Sequence, residues 1–560
     1  VGSNPDASAA GVSWRLRLAV VLAAIGFVWL SLSPGFVSGS GAFWQFPQGD
    51  AARCEIGWMY YAHDQWRLPL FAIGNYHDPE GSNVYLSDSL PLLALPAKIV
   101  YKLTGWLPTY TGFWVALCFF LQAIFASRLL RALGVRDWLP HFAGIVLFCY
   151  VPFLFARFGH MTLMGHFFIL AELEGYVRAK REGLSRGGWA WICTLPVVAI
   201  LVQPYLAAMA LMLALVTILD QWREGRLALR GVALRISAIA LASAAVVLIG
   251  GFVFPDTHPH DDYGLYSFNL LSPFVPFADT RLGQWLGTAT PSIEGIWQWE
   301  GGVYLGAGVL LALLACLPFW RGALPALKRH AVLVSALALA LVFAISNRVG
   351  LGSHELLHVP LPDFVRSAFS ALRGSGRFAW PATYALIAMA IACVASRYRR
   401  TTAAAVLVAA AVLQWVDAQP TQSVRRAASA AGAQPAIHQQ AWQGLIATHE
   451  RIFQFPSFEC GGIYGEEIGV DKYQEMQIDL IAARANKPTN SSYPARYTKN
   501  CKREREAAAL SVREPGTLYL YRSSADIGAF ITRYGQDTSR CGTLDEVVVC
   551  SATADLSSLH

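Results

Sequence analysis

Long apolar stretches, nearly all of them uncharged, separated by short basic ones, fill most of the first 417 residues. A hydrocarbon core about 30 Å thick needs about 20 residues of helix to cross it. The stretches of that kind are 18–32, 103–127, 139–156, 161–176, 189–219, 236–254, 301–320, 331–347, 378–396 and 401–416. No small-residue cleavage site follows 18–32, so it is read as a retained anchor. Basic clusters lie between the stretches: Arg15/Arg17, Arg128/Arg131/Arg136, Arg178/Lys180/Arg181/Arg186, Arg223/Arg226/Arg230, Arg321/Lys328/Arg329 and Arg397/Arg399/Arg400. The positive-inside bias puts all of these on the cytoplasmic face. Two consequences follow. The run 189–219 must be a hairpin turning at Gln203-Pro204-Tyr205. The piece 90–103, with Pro91, Pro96, Lys98 and Lys102, must lie in the interface, its lysines reaching for lipid phosphate. The expected chain is mainly α, with about eleven spans, its N-terminus inside and its C-terminus outside. The outer segments are then 35–109, 157–160, the Gln203 turn, 255–300, 348–377 and everything after Asp417.

Composition agrees with a membrane setting. Hydrophobic residues make up 55% of the 560 and charged ones 14%, against about 25% charged in ordinary soluble domains. The mean hydropathy is +0.40. This excludes a soluble fold, and the abundance of Trp, Tyr and Phe excludes disorder. A net charge of +7 over this length is too dilute for nucleic acid and suits loops against anionic lipid.

The pattern changes after Asp417. The first unit, 1–417, is the transmembrane domain; the second, 418–560, is polar and turn-rich and is expected to be a soluble extracytoplasmic α/β domain. Strands are expected at 451–455, 517–521 and 546–549, with a helix near 526–534. Four of the ten cysteines fall here, Cys460, Cys501, Cys541 and Cys550, which favours two disulfides without fixing their pairing. Paired C-x-x-C units are missing, which speaks against zinc. The other cysteines read as packing residues, and Cys54 has no evident partner.

Candidate chemistry concentrates in the outer segments. Asp50, in Gly49-Asp50-Ala51-Ala52-Arg53-Cys54-Glu55, reads either as a helix N-cap or as a general base. Glu55 is five residues on and about 140° round a helix, so it does not share that face. Asp88 reads as the cap of the interfacial helix. Arg157-Phe158-Gly159-His160 and the following His166 place ionisable groups at membrane depth. His258, His260, Asp261 and Asp262 have metal-ligand chemistry but no recognised spacing, so a divalent metal is left open and no cofactor is required. Trp285, Trp297, Trp299 and Tyr304 surround Glu300 near a membrane border. Arg366, and then Arg373-Gly374-Ser375-Gly376-Arg377 leading into a span, read as an anion site of guanidinium groups and helix N-terminal N–H groups.

The chain resembles the GT-C superfamily of integral-membrane glycosyltransferases. It is also similar to a bacterial family of membrane proteins with the same plan. The pieces that carry this are Gly49-Asp50, Asp88-Ser89-Leu90-Pro91-Leu92-Leu93-Ala94-Leu95, Arg157-Phe158-Gly159-His160 with His166, Tyr304-Leu305-Gly306 and Ser375-Gly376-Arg377-Phe378. The resemblance implies inverting transfer of a single sugar from a polyprenyl phosphate-linked donor to an extracytoplasmic hydroxyl of a glycan, lipid or protein, on the outer side of a bacterial inner membrane, with Asp50 as base. It departs from the pattern in having no Asp-x-Asp pair at Asp50. Arg373, Arg377, Arg366 and His160 are then the expected phosphate ligands. Glu55, Asp88, Arg157, His166, Gln203, Tyr205, Glu300 and Tyr304 are candidates for the substrate pocket. Two rivals remain: a flippase of lipid-linked sugars, which would be expected to show internal repeats, and an oligosaccharide polymerase or ligase.

Overall fold

The computed structural model describes residues 14–254, 263–461 and 472–496, and shorter stretches within 501–559, notably 515–522 and 540–559. Its first unit is a bundle of helices. Among the described residues, six helices are long and apolar enough to cross a membrane: Trp14–Ser31, Thr111–Ala132, Pro204–Arg223, Leu229–Gly250, Ser375–Arg397 and Arg400–Ala430. Shorter apolar helices are Trp138–Cys149, Ala307–Gly322 and Ala331–Ile345. Leu229–Gly250 shows what surrounds them. Leu234, Leu241, Leu248 and Ile249 on it are all exposed. An apolar face this extensive is untenable in water and ordinary in hydrocarbon. The chain is an integral membrane protein.

Local chemistry sets where the helices break. The run 189–219 folds as two helices, Arg186–Ile200 and Pro204–Arg223, joined at Gln203, because Pro204 at a helix start has no N–H to lose. The run 103–127 is divided: Pro91–Thr104 ends at Gly105, whose φ of 73° suits glycine, and a new helix starts at Thr111. The run 161–176 opens with a 3₁₀ turn, Met161–Met164, before the helix Phe167–Glu182.

Lys98 is buried and does not reach out to lipid phosphate as expected. Lys102 donates to the carbonyl of His63 at 3.1 Å and Lys98 to that of Gln65 at 3.2 Å. They serve the C-terminal end of the helix Gly49–His63, whose unpaired carbonyls attract cations. Asp88 is not the cap of Pro91–Thr104 either; that position belongs to Leu90, with φ 52°.

The helix Arg400–Ala430 runs through Asp417 without a break. Asp417 is buried and accepts from Tyr304 at 2.8 Å, Ala307 N–H at 3.1 Å and Leu282 N–H at 2.9 Å. Beyond that helix lies a four-stranded sheet in the order Arg451–Phe455, Thr517–Tyr521, Val547–Ser551, Cys541–Leu544. The first pair is parallel and the others antiparallel. Ile452, Leu518, Leu520, Val547 and Val549 bury one face against Ile478, Ile481 and Trp442 of the helices Lys472–Arg484 and Gln439–Ala447. The region 526–534 lies mostly outside the described residues. Disulfides join Cys460 to Cys501 and Cys541 to Cys550.

This unit is bolted to the first long loop. Tyr60 donates to the Lys487 carbonyl at 2.9 Å, and Arg484 donates to the carbonyls of Trp44 and Gln45 at 3.1 and 2.7 Å. Arg451 pairs with Asp78 at 3.4 Å.

Candidate active site

Asp50 lies in the first turn of Gly49–His63, one residue after Gly49, whose φ is 57°; the N-cap is Gln48. Asp50 is therefore not the N-cap; Gln48 holds that position without a side-chain cap bond, and the Asp50 carboxylate faces a cavity while still feeling the positive end of the helix. Arg53 is one turn on and pairs with Asp50 at 3.1 Å. The same guanidinium reaches Asp88. Asp88 arrives there because its backbone takes a left-handed φ of 53°, a conformation that Asp tolerates better than most residues.

On its other side Asp50 meets His160 Nδ1. His160 Nε2 bonds Glu300 Oε1 at 2.9 Å. Glu300 Oε2 accepts from Arg157 at 2.7 Å and from Arg377 at 3.1 Å. Carboxylates and cations thus alternate from Asp88 through Arg53, Asp50, His160 and Glu300 to two arginines. Glycine makes the last link: a Cβ on Gly376 would come within 2.5 Å of the Gly301 Cα, so only glycine lets the two backbones approach and set Arg377 beside Glu300.

The electrostatics follow from this order. Burial alone would raise Asp50, but Arg53 and His160 outweigh it and hold its carboxyl well below the ordinary carboxylate range. Burial would lower His160, but Asp50 and Glu300 push it up to about 9, so it is protonated at neutral pH. Glu300 is likewise held down, against its burial, by Arg157, His160 and Arg377. Asp88 goes the other way: burial raises it, Asp50 adds to that, and Arg53 opposes.

Asp50, Arg53, Asp88, His160, Glu300, Arg373 and Arg377 all line one cavity of about 550 Å³. Gln203 and Tyr205 line it too. Tyr205 lies against the Arg377 guanidinium, 4.6 Å from ring centre to carbon. Its hydroxyl accepts the Gly374 N–H at 2.9 Å. The Gly376 N–H is given to the Tyr266 carbonyl at 3.0 Å. Two of the backbone donors expected to cradle an anion, the N–H groups of Gly374 and Gly376, are thus spent within the protein. The opposite wall is apolar: Leu86, Leu163, Phe252, Val253 and Phe254. The last three directly follow the lipid-facing helix Leu229–Gly250.

Several expected residues lie elsewhere. Arg366 is outside this lining and pairs with Asp363 at 2.7 Å. Glu55 is turned away, accepting from Thr111 at 2.8 Å, and burial raises its carboxyl to about 7. His166 is buried beside the Tyr384 hydroxyl at 2.9 Å, and Tyr304 is held by Asp417. Arg157 supports Glu300 from behind without lining the cavity. Cys54 approaches the Thr111 hydroxyl at 3.4 Å. His258, His260, Asp261 and Asp262 lie outside the described residues. Among the described residues, no group of three or more His, Cys, Asp or Glu is arranged to hold a metal ion.

Sequence reasoning missed Arg53, Tyr85, Tyr493, Ala495 and Arg496, all of which line the cavity. Arg53 was detectable, since position i+3 from an acidic residue lies on the same helix face. Tyr493 and Arg496 come from the second unit, and no spacing in the chain signals their arrival.

Comparison with solved structures finds distant likenesses. ArnT from Cupriavidus metallidurans, bound to undecaprenyl phosphate, has 13% identity and a TM-score of 0.43, over 98% of this chain and 100% of that one. The oligosaccharyltransferase AglB from Archaeoglobus fulgidus, in complex with an inhibitory peptide and a dolichol-phosphate, has 13% identity and a TM-score of 0.41, over 86% of this chain. This chain spans just under two thirds, 65%, of the AglB chain. No curated protein matches the chain. A family model described as the DUF6311 C-terminal domain matches residues 441–552. A model described as a domain of unknown function, DUF6311, matches residues 20–419, and the chain belongs to that family.

Proposed function

We propose that this protein is an inverting glycosyltransferase that moves one sugar from a polyprenyl phosphate-linked donor to a hydroxyl on the outer face of a bacterial inner membrane. The observation that carries this reading is the single cavity in which Asp50 meets Arg373 and Arg377, with an apolar wall running onto a lipid-facing helix. A lipid-linked donor can enter such a cleft sideways, its isoprenoid chain on the apolar wall and its head among the cations. In this reading the chain crosses the membrane about eleven times, counting helices shorter than a full span. The cavity and the second unit face outward.

The reaction needs one base and a stabilised leaving group. The acceptor oxygen attacks the anomeric carbon from the face opposite the phosphate, and the bond from that carbon to the phosphate oxygen breaks. Polyprenyl phosphate leaves with the bonding electrons, and the acceptor's proton passes to Asp50. Arg373, Arg377 and His160 stabilise the growing phosphate charge in a poorly hydrated site, where such charges act strongly. Paired with Arg53 and His160, Asp50 is a weak base. A phosphate arriving beside His160 draws that cation away and restores basicity when the substrate is in place. A phosphate needs little protonation to leave, so no second carboxylic acid is required, unlike in a glycosidase.

A cavity of about 550 Å³ suits one sugar, its phosphate and the attacking end of an acceptor. That favours single-sugar transfer over polymerase or ligase chemistry on a whole glycan. A flippase would return its lipid-linked sugar intact, so the test is product analysis. Purified protein given a labelled polyprenyl phosphate-sugar and an acceptor pool should release sugar-free polyprenyl phosphate. Donor recovered whole from the opposite leaflet would refute the enzyme reading.

A further inference from the structure

The residues 493–496 of the second unit cross the cavity as a strap. The Ala495 N–H donates to the Leu86 carbonyl at 2.6 Å, and the Ala495 carbonyl accepts from Arg373 at 3.3 Å. Arg496, at the end of the strap, is solvent-exposed, lines the cavity and donates to the Ala371 carbonyl. Its charge is felt by the Tyr85 hydroxyl. Tyr85 in turn stacks on Phe252 at 4.4 Å and lies 6.4 Å from Phe254. Arg496 therefore stands where the apolar wall meets the polar chamber.

Two other arginines of the cavity are differently placed. Arg377 is shared with Glu300, and Arg53 with Asp50 and Asp88. Among the described residues no carboxylate pairs with Arg496. A phosphate whose alkyl chain lies along Phe252 and Phe254 has its charge at the Tyr85 edge of the cavity. One whose sugar reaches Asp50 has that sugar further in.

We propose that Arg496 is a ligand of the donor's lipid phosphate, so that the second unit completes the donor site from outside the membrane domain. This rests on the function proposed above. The ligand chemistry is a phosphate monoester or diester at the end of an apolar chain. A guanidinium contributes charge-assisted hydrogen bonds to it, which Gln cannot match. Arg496 is exposed, so replacing it leaves the packing of both units in place.

The test is binding of polyprenyl phosphate, and of the uncharged polyprenol of equal length, to the full chain in lipid nanodiscs, with inorganic phosphate as competitor. The wild type should prefer the phosphate. Arg496→Gln should weaken phosphate binding about tenfold or more and leave polyprenol binding unchanged, and Arg496→Lys should fall between. Equal phosphate affinity in Arg496→Gln and wild type would overturn the proposal while leaving the enzyme reading intact. An equal loss for polyprenol would overturn it too, since the strap's shape and not its charge would then matter. Inorganic phosphate binding as tightly as the lipid would remove the lipid headgroup as the ligand. A wild type with no preference for phosphate over polyprenol would instead refute the functional reading itself.

Discussion

Asp50 and Glu300, far apart in the chain, are joined through one imidazole: His160 meets Asp50 at Nδ1 and Glu300 at Nε2. On the proposed function, a base that must be ionised and a phosphate site that must be positive are thereby set by the same side chain.

His160 titrates at about 9, well above its ordinary value of about 6.5. The raised value means that its ion pairs are fully present below pH 6.5 and are lost as pH rises through about 9. Donor affinity should therefore be flat from pH 6.5 to 8 and fall as pH rises through 9. The KM for donor, measured against pH, checks this, and in His160→Gln the alkaline loss should disappear.

Replacing Glu300 with Ala would leave Arg157, almost fully buried, and Arg377 without their carboxylate. Removing one partner of a buried pair typically costs about 3–5 kcal/mol. The variant should unfold at clearly lower temperature or denaturant in detergent. Adding Arg157→Met should recover part of that loss, because the uncompensated charge is then gone.

Gly376→Ala puts a Cβ within 2.5 Å of the Gly301 Cα, a contact that backbone must move to relieve. The displacement acts where Glu300 and Arg377 meet. The expected result is a loss of donor binding greater than that of Gly374→Ala, whose Cβ would meet only the Arg377 side chain at 3.1 Å. Comparing donor Kd in the two variants checks it.

The disulfide Cys460–Cys501 spans 41 residues and encloses the strap 493–496. Closing a loop of that length is worth about 4 kcal/mol by chain entropy. Cys460→Ser with Cys501→Ser should lower the unfolding midpoint of the second unit and weaken donor binding. Circular dichroism in the far ultraviolet should show the helices of the first unit retained.

Much of this architecture is written in local pattern. Charge-free runs mark the spans, and Gln203-Pro204 marks the hairpin turn, because both are decided by nearby residues. Asp50, His160 and Arg377 stand out because charge is costly where they lie. Lys98 misled for an equally physical reason: a lysine beside a span has lipid phosphate as its default partner, and only the fold shows that this one is buried with the Gln65 carbonyl in reach. Asp88 misled in the same way, since a cap and a left-handed turn favour the same residue type. Arg496 was invisible because its place depends on how a second unit docks.

The most direct test compares turnover of a polyprenyl phosphate-linked sugar by wild type and Asp50→Asn, with donor binding measured on the same preparations. The account predicts that Asp50→Asn still binds donor and that its transfer rate falls by about 10²–10⁴-fold. Transfer at the wild-type rate by Asp50→Asn, with binding intact, would contradict it.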